Sequence, residues 1–240
     1  MSGYGEFEQC LDDVVRRLGS QSFHRRSRER YLKTLRFAAA WTQFTGFSRV
    51  AEVGPGPVLP TLCLAYRCQG TAFTLMRQGW EQSLKGLGID LKKFDANKDN
   101  FPPAEHGTFD CAFFLEVIEH LNRWPYEVLS NIASILKPGG VLILSTPNFV
   151  RLSSRLRMIA GRSPLINPFV ETEEGRNHVR EYTLDELTHL FDLTGLQTVR
   201  AEYWQAPLVG KARLLIPLLG AMPTLRNYIF SCARRRPRRC

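Results

Sequence analysis

FDCAFFLEVIEHLNRWPYEVLSNIASILKPGGVLILSTPN, residues Phe109 to Asn148, carries a strand, a helix and a second strand in about 40 residues. FDCAFFL is a short apolar run rich in aromatic residues, the pattern of a strand buried on both faces of a parallel sheet. From Trp124 onward Val128, Leu129, Ile132, Ile135 and Leu136 recur at helical spacing. Lys137-Pro138-Gly139-Gly140 places a basic last turn before breakers and ends that helix. VLILST is apolar, too short for a helix, and stopped by Pro147. Strand, helix, strand at this spacing is one right-handed crossover unit of a doubly wound α/β sheet.

A chain of 240 residues has room for one α/β domain with a sizeable core, or one domain and a small cap. No apolar run approaches the roughly 20 residues that span a bilayer. The opening MSGYGEFEQCLDD is acidic and lacks the basic-then-apolar order of a secretory signal, so a cytoplasmic protein is expected. Cysteines 10, 63, 68, 111, 232 and 240 show no CxxC spacing, which favours reduced thiols over a disulfide framework. The net charge of +9 is uneven: residues 201–240 hold eight Lys and Arg against the single Glu202. A second cluster comprises Arg25, Arg26, Arg28, Arg30, Lys33 and Arg36. Such patches attract nucleic acid, anionic lipid or anionic substrates, or form a solvated tail and helix face.

Read in order, residues 6–19 form a helix with Phe7, Leu11, Val14, Val15 and Leu18 on one stripe, and Gly19 stops it. A second helix is expected over Ser27–Thr42. Residues 1–48 thus read as a helical cover ahead of a sheet domain over 49–240. RVAEVGPGP, Arg49–Pro57, is the first strand and a turn whose small residues let backbone approach a ligand at the positive end of the next helix. A helix within PTLCLAYRCQG, a strand TAFTLM, a helix over 81–88 and a strand LKKFDAN ending at Asp95 follow. Residues 149–181 interrupt the pattern as a cap. Thr183 and Glu186 form a capping box opening a helix with Leu184, Leu187, Leu190 and Phe191 buried. LQTVRAEYW and NYIFSCARR are the last strands. The segment between them, APLVGKARLLIPLLGAMPTLR, is broken by Pro217 and Pro223; it reads as a cover for the core or as a surface resting on a membrane interface.

An aspartate opening a strand, followed by LEVIEHL, LKPGG and LSTPN, closely resembles the class I S-adenosylmethionine-dependent methyltransferases, and the resemblance spans about residues 49–205. It implies a Rossmann-like, doubly wound, seven-stranded sheet, mostly parallel with an antiparallel edge strand and helices on both faces. It also implies S-adenosylmethionine as cofactor. Glu52, Gly54 and Gly56 match the places that hold its methionine portion, Asp95 matches the acid that meets the adenine amino group, and Glu116 falls beside the cofactor. Pro57 stands where many relatives carry a third glycine. The acid that relatives place after the second strand, on the ribose hydroxyls, has no counterpart: no carboxylate lies between Glu52 and Glu81. Gln78 and Glu81 are substitutes by position, and weaker cofactor affinity is expected.

Methyl transfer from a sulfonium is an in-line displacement that needs alignment, exclusion of water and one base. His120 follows the fourth strand, whose C-terminal end faces the ligand crevice of such sheets, and His178 lies in the cap; both are catalytic candidates. If a helix began at Glu116, spacings of three and four would set Glu116, Glu119 and His120 on one face. The EVxEH wording occurs in ubiquinone-pathway O-methyltransferases with a divalent cation, and also in metal-free relatives; no metal is expected. HVREYT resembles segments of small-molecule and glycan methyltransferases, so the expected acceptor is an oxygen or nitrogen of a small molecule, lipid or glycan. Peripheral contact with an anionic membrane is a further expectation. The alternatives are a non-catalytic binding protein on this fold and a nucleic-acid methyltransferase. The latter is less favoured because EVIEH replaces the Asn/Asp-Pro-Pro-aromatic turn that handles exocyclic base amines.

Overall fold

In the computed structural model, which describes residues 4–19, 21–42, 46–75, 81–165 and 178–237, strand and helix alternate from Arg49 onward. Strands β1 (Arg49–Val53), β2 (Gln69–Thr74), β3 (Asp90–Lys93), β4 (Phe109–Leu115), β5 (Leu136–Pro147), β6 (Leu196–Trp204) and β7 (Tyr228–Arg235) form one sheet in the order β3-β2-β1-β4-β5-β7-β6. The first five pair parallel with one another, while β7 runs antiparallel to both β5 and β6. The order reverses between β1 and β4, and such a switch point opens a crevice beyond the strand C-termini.

Side-chain alternation explains why β4 and β5 read as unbroken apolar runs. Cys111, Phe113, Val141 and Ile143 face one core with Phe230 and Cys232 of β7. Ala112, Phe114, Leu142 and Leu144 face the other with Ile229 and Ala233. Helices cover both faces, so neither parity has to be polar. Helices α1 (Tyr4–Leu18), α2 (Gln21–Trp41) and α3 (Val58–Tyr66) contribute to the first core. Helices α5 (Pro125–Ile135) and α7 (Leu184–Leu193) contribute to the second. A short helix α4 (Glu81–Gly86) joins β2 to β3, and α6 (Leu152–Ile159) follows β5. Both halves of the Thr183–Glu186 capping box are present.

Several boundaries differ from the sequence reading. Leu136, assigned above to the helix, already pairs with Phe109, and the next ladder pair is Cys111 with Val141. Lys137–Gly140 therefore bulge out of the strand. Gly140 must be glycine there, because a Cβ would stand 3.1 Å from the carbonyl oxygen of Phe109 and 3.0 Å from that of Lys137. Asp110 stitches the strand starts together, accepting from the amides of Ser48 and Arg49 at 2.9 Å and from Lys137 Nζ at 2.5 Å. Helix α2 begins at Gln21 rather than Ser27.

The reading of the β6–β7 connection as a core cover is corrected. Only Leu219 and Leu225 of its large apolar residues are buried, while Leu214 is 82% exposed. Two prolines keep it in short turns and the six-residue helix α8 (Ile216–Ala221), which cannot present one continuous face inward. The basic tail is also shorter than the charge run suggests. Arg234 and Arg235 lie within β7, and Arg235 donates to the carbonyls of Ser134 and Leu136. Arg238 and Arg239 lie outside the described residues, as do Gln78 and part of the cap, residues 166–177.

Candidate active site

The residues singled out from the sequence lie at the C-terminal ends of the parallel strands. Glu52 is buried near the end of β1, and its carboxylate accepts from the amide of Leu59 at 3.2 Å and from the backbone of Gly56. Burial pushes its carboxyl up to about 8, and those two bonds offset only part of the rise. A carboxyl raised on folding contributes stability below its unfolded value of 4.5, and that contribution is lost as pH rises through about 8. Glu52→Gln therefore raises the thermal midpoint of the ligand-free protein above pH 8 and changes it little near pH 4.5. Equal midpoints for the two proteins at alkaline pH would show that this carboxyl is not desolvated.

The two glycines play different parts. Gly54 has φ +73°, and a Cβ on it would stand 2.6 Å from Cγ2 of Val117 in the loop after β4. Its amide continues the ladder, donating to Phe73 O at 3.0 Å, so it shapes the turn. Gly56 has open space beside it, bounded at 3.9 Å by Glu52 Oε1 and by Cε1 of Tyr31 from α2. Pro57 sits at φ −74°, an ordinary proline angle, so the missing third glycine leaves no strain. Asp95 follows β3 with its carboxylate turned onto the local turn: Oδ1 accepts from the amide of Asn97 at 3.0 Å, and Lys98 lies 3.7 Å from Oδ2.

Glu116 follows β4 with φ +55°, an uncommon angle for a side-chain-bearing residue and one often found at functional sites. Its Oε1 accepts from Ser145 Oγ at 2.7 Å and its Oε2 from Arg30 Nη1 at 3.0 Å. Burial works against the charge on Arg30, but Glu116 together with Tyr228, Tyr31 and Glu119 outweighs it and keeps the guanidinium protonated. Helix α2 therefore does more than cover the sheet: Arg30 and Tyr31 both reach the strand ends. The sequence reading gave neither a role. The available signal was a basic residue inside an otherwise apolar helix stripe.

The turn after Glu116 is not an α-helix. Ile118–His120 form a single 3₁₀ turn, and Glu119 Oε1 lies 4.0 Å from His120 Nε2 while Glu116 turns to Ser145 and Arg30 instead. Glu119 is buried, with Oε2 accepting from Thr146 Oγ1 at 3.0 Å. Burial first, and then the nearby Glu116, push its carboxyl well above the usual range. The backbone carbonyl of Glu119 accepts from the amides of Val179 and Arg180 at 2.7 and 3.2 Å. A parallel bridge between Asn148 and Tyr182 secures the same returning strand.

These contacts bring the two catalytic candidates together. The rings of His120 and His178 pack edge to face with centroids 4.9 Å apart. His178 Nδ1 lies 2.7 Å from Glu181 Oε1, and Glu181 also pairs with Arg151. Burial tends to raise the Glu181 carboxyl, yet His178 and Arg151 together hold it below the usual range. An ionised Glu181 fixes the proton on Nδ1 and leaves Nε2 to accept one. One ligand atom each from Glu119, His120 and His178 lies within 4.8 Å of the others, a donor set that suits a divalent metal. The set differs from the Glu116, Glu119 and His120 trio considered from the sequence.

Comparison with known proteins follows this geometry closely. A family described as "Methyltransferase domain" matches residues 23–201. The chain belongs to that family. The match begins inside α2 and ends within β6, so it takes in the turn after β1, the loop after β4 and the cap. A curated protein of Mycolicibacterium smegmatis named as a "probable S-adenosylmethionine-dependent methyltransferase" is 33% identical over 96 residues, 40% of this chain. The chain spans only 31% of that relative's own length. Among solved structures, a SAM-dependent methyltransferase from Archaeoglobus fulgidus superposes with a TM-score of 0.60 at 17% identity, covering 90% of this chain and 99% of that one. The N-methyltransferase NodS from Bradyrhizobium japonicum, in complex with S-adenosyl-L-homocysteine, gives 0.58 at 17% identity over 94% and 98%. At such identities the likeness shows the fold. This methyltransferase is a class I S-adenosylmethionine-dependent member by family and sheet order, and S-adenosylmethionine is the cofactor that membership indicates. The finer likeness to the ubiquinone-pathway group is not specifically carried by these matches.

Proposed function

We propose that this methyltransferase moves a methyl group from S-adenosylmethionine to an oxygen or nitrogen of a small-molecule, lipid or glycan acceptor, with His178 and His120 handling the acceptor proton. The observation that carries the reading is the convergence of these two rings beside the loops of β1 and β4, where Val117 already lies against Gly54.

The residues fit the methionine end of the cofactor. Glu52 turns a carboxyl oxygen toward Gly56, and Tyr31 bounds the same space from α2. When bound, S-adenosylmethionine supplies an electrophilic methyl on a sulfonium. Glu116, held by Ser145 and Arg30, fixes the loop that carries Val117 and His120. Glu181 orients His178, whose Nε2 removes the proton from the acceptor hydroxyl or amine and so exposes the nucleophilic lone pair. His120 packs against that ring and limits its rotation. Arg151 keeps Glu181 charged and thereby the tautomer fixed.

The ribose end lacks its usual carboxylate among the described residues, and the Asp95 carboxylate is already engaged by its own turn. One charge-assisted hydrogen bond is worth about 1.5–3 kcal/mol, so deoxyribose analogues of the cofactor bind nearly as well as the parent. A large loss on removing either hydroxyl would show that another group has replaced the acid. The function itself is tested by incubating the protein with methyl-labelled cofactor and fractionated extract of its native source. Label is expected in a low-molecular-weight, lipid or glycan fraction. Label confined to nucleic acid would overturn the acceptor class. No transfer despite cofactor binding would favour a binding protein on this fold.

A further inference from the structure

We propose that the face built from α6 and the β6–β7 connection docks this protein on an anionic lipid bilayer. The inference does not depend on the methyl-transfer reading.

Antiparallel neighbours need only a few residues to turn, yet Gln205–Asn227 intervene between β6 and β7. Connections of that length are usually functional. This one spends its apolar residues on the surface: Val209, Leu214, Ile216, Leu218 and Met222 are all exposed. Helix α6 does the same beside it. Ile159 is 83% exposed, Leu156 and Met158 are exposed too, and Ser154 is the residue it buries. The two segments are joined at their base. Asn148 Nδ2 donates to the carbonyls of Thr224 and Arg226 at 2.8 Å, and Arg155 reaches Thr224 Oγ1 at 3.5 Å. Contiguous exposed apolar surface of this kind marks an interaction site.

Charge selects the occupant. Neither 148–165 nor 205–226 contains an acidic residue, whereas Arg151, Arg155, Arg157, Arg162, Lys211, Arg213 and Arg226 all fall within them. Apart from Arg151, which serves Glu181, their described bonds run mainly to backbone carbonyls: Arg157 to Ser163, Arg213 to Leu208, Arg226 to Leu219 and Tyr203, Arg155 to Val150. Among the described residues none of these meets a carboxylate. Several cations elsewhere are matched, as in Arg28 with Asp12, Arg36 with Glu8 and Lys33 with Glu202. A second copy of this face would set like charges together, and a nucleic acid would leave the leucines and isoleucines wet. Apolar side chains interleaved with unmatched cations suit an interface of acyl chains and anionic headgroups. No described helix is long and apolar enough to cross the membrane, so the contact is peripheral.

Co-sedimentation of the full chain with vesicles tests this. Binding is expected to vesicles of phosphatidylcholine mixed with phosphatidylglycerol at low salt, and to weaken as salt rises. Ile159→Ser with Leu214→Ser removes apolar insertion and lowers the partition coefficient by about tenfold or more. Arg157→Glu with Lys211→Glu, which leaves the apolar residues in place, does the same for the electrostatic part. Both pairs are exposed, so thermal unfolding of each variant stays as in the wild type, and either pair suffices if the other folds poorly. A chain ended after Arg236 keeps its binding, because β7 and the face are intact. Absence of wild-type binding to anionic vesicles at low salt would overturn the proposal. So would equal, salt-insensitive binding to pure phosphatidylcholine, or binding to duplex DNA that survives the Ile159/Leu214 pair and displaces the vesicles.

Discussion

His178→Ala lowers the rate of methyl transfer by about 10²–10⁴-fold, the usual worth of a positioned general base, while cofactor affinity stays near the wild-type value. The asymmetry follows from where the residue sits. His178 contacts Glu181 and the His120 ring, whereas Glu52, Gly54 and Gly56 are the residues assigned to the cofactor. Glu181→Gln keeps the shape but removes the charge that places the proton on Nδ1. Its rate of methyl transfer therefore falls while cofactor affinity is kept, since the proton is no longer held on Nδ1. His120→Ala loses less, because Glu119 Oε1 stands 4.0 Å from His120 Nε2, farther than the 2.7 Å between Glu181 Oε1 and His178 Nδ1. Labelled-methyl incorporation into the active extract fraction, measured across pH, reads all three. A His178→Ala rate within twofold of wild type would remove this residue from the chemistry.

Gly54→Val destabilises the fold by about 2–5 kcal/mol, which is a large share of the 5–15 kcal/mol typical of a domain. Two separable causes contribute. A β-branched residue at φ +73° costs about 1–2 kcal/mol of backbone strain, and overpacking of a filled space costs about 1–3 kcal/mol. The contact that must give way is Val117 Cγ2 at 2.6 Å, so Val117→Ala added to Gly54→Val recovers the steric part and leaves the strain. Urea unfolding of the two single variants and the double variant measures both. Full recovery in the double variant would show that the backbone angle carries no cost. No loss in Gly54→Val would contradict the turn geometry itself.

The region that reads most directly from sequence is Phe109–Pro147, because its strands are buried on both faces and its breakers, Pro138 to Gly140, bulge where the ladder needs slack. The edges of the helices were less legible. Helix α2 starts at Gln21, ahead of the apolar stripe from which its start was read. The β6–β7 connection was misread inward because apolar composition alone does not say which side of a surface a segment occupies. The site divides the same way. Glu52, Gly54, Gly56, Glu116 and His120 lie at or just after the ends of β1 and β4, where the strand pattern placed them, and His178 lies in the cap. The ring contact between His120 and His178 was not legible, as it depends on residues far apart in sequence being brought together by amide bonds from Val179 and Arg180 to the carbonyl of Glu119. Arg30 and Glu181 were missed for a similar reason: each acquires its role from a partner far away in sequence, Glu116 and Arg151 respectively.

Isothermal titration of the ligand-free protein with S-adenosylmethionine, and with S-adenosylhomocysteine in parallel, needs no knowledge of the acceptor. Saturable one-site binding is predicted for both ligands, with binding lost in Glu52→Ala, which removes the buried carboxylate facing Gly56. The absence of any heat for the wild type at millimolar ligand would contradict the assignment of this crevice to the cofactor.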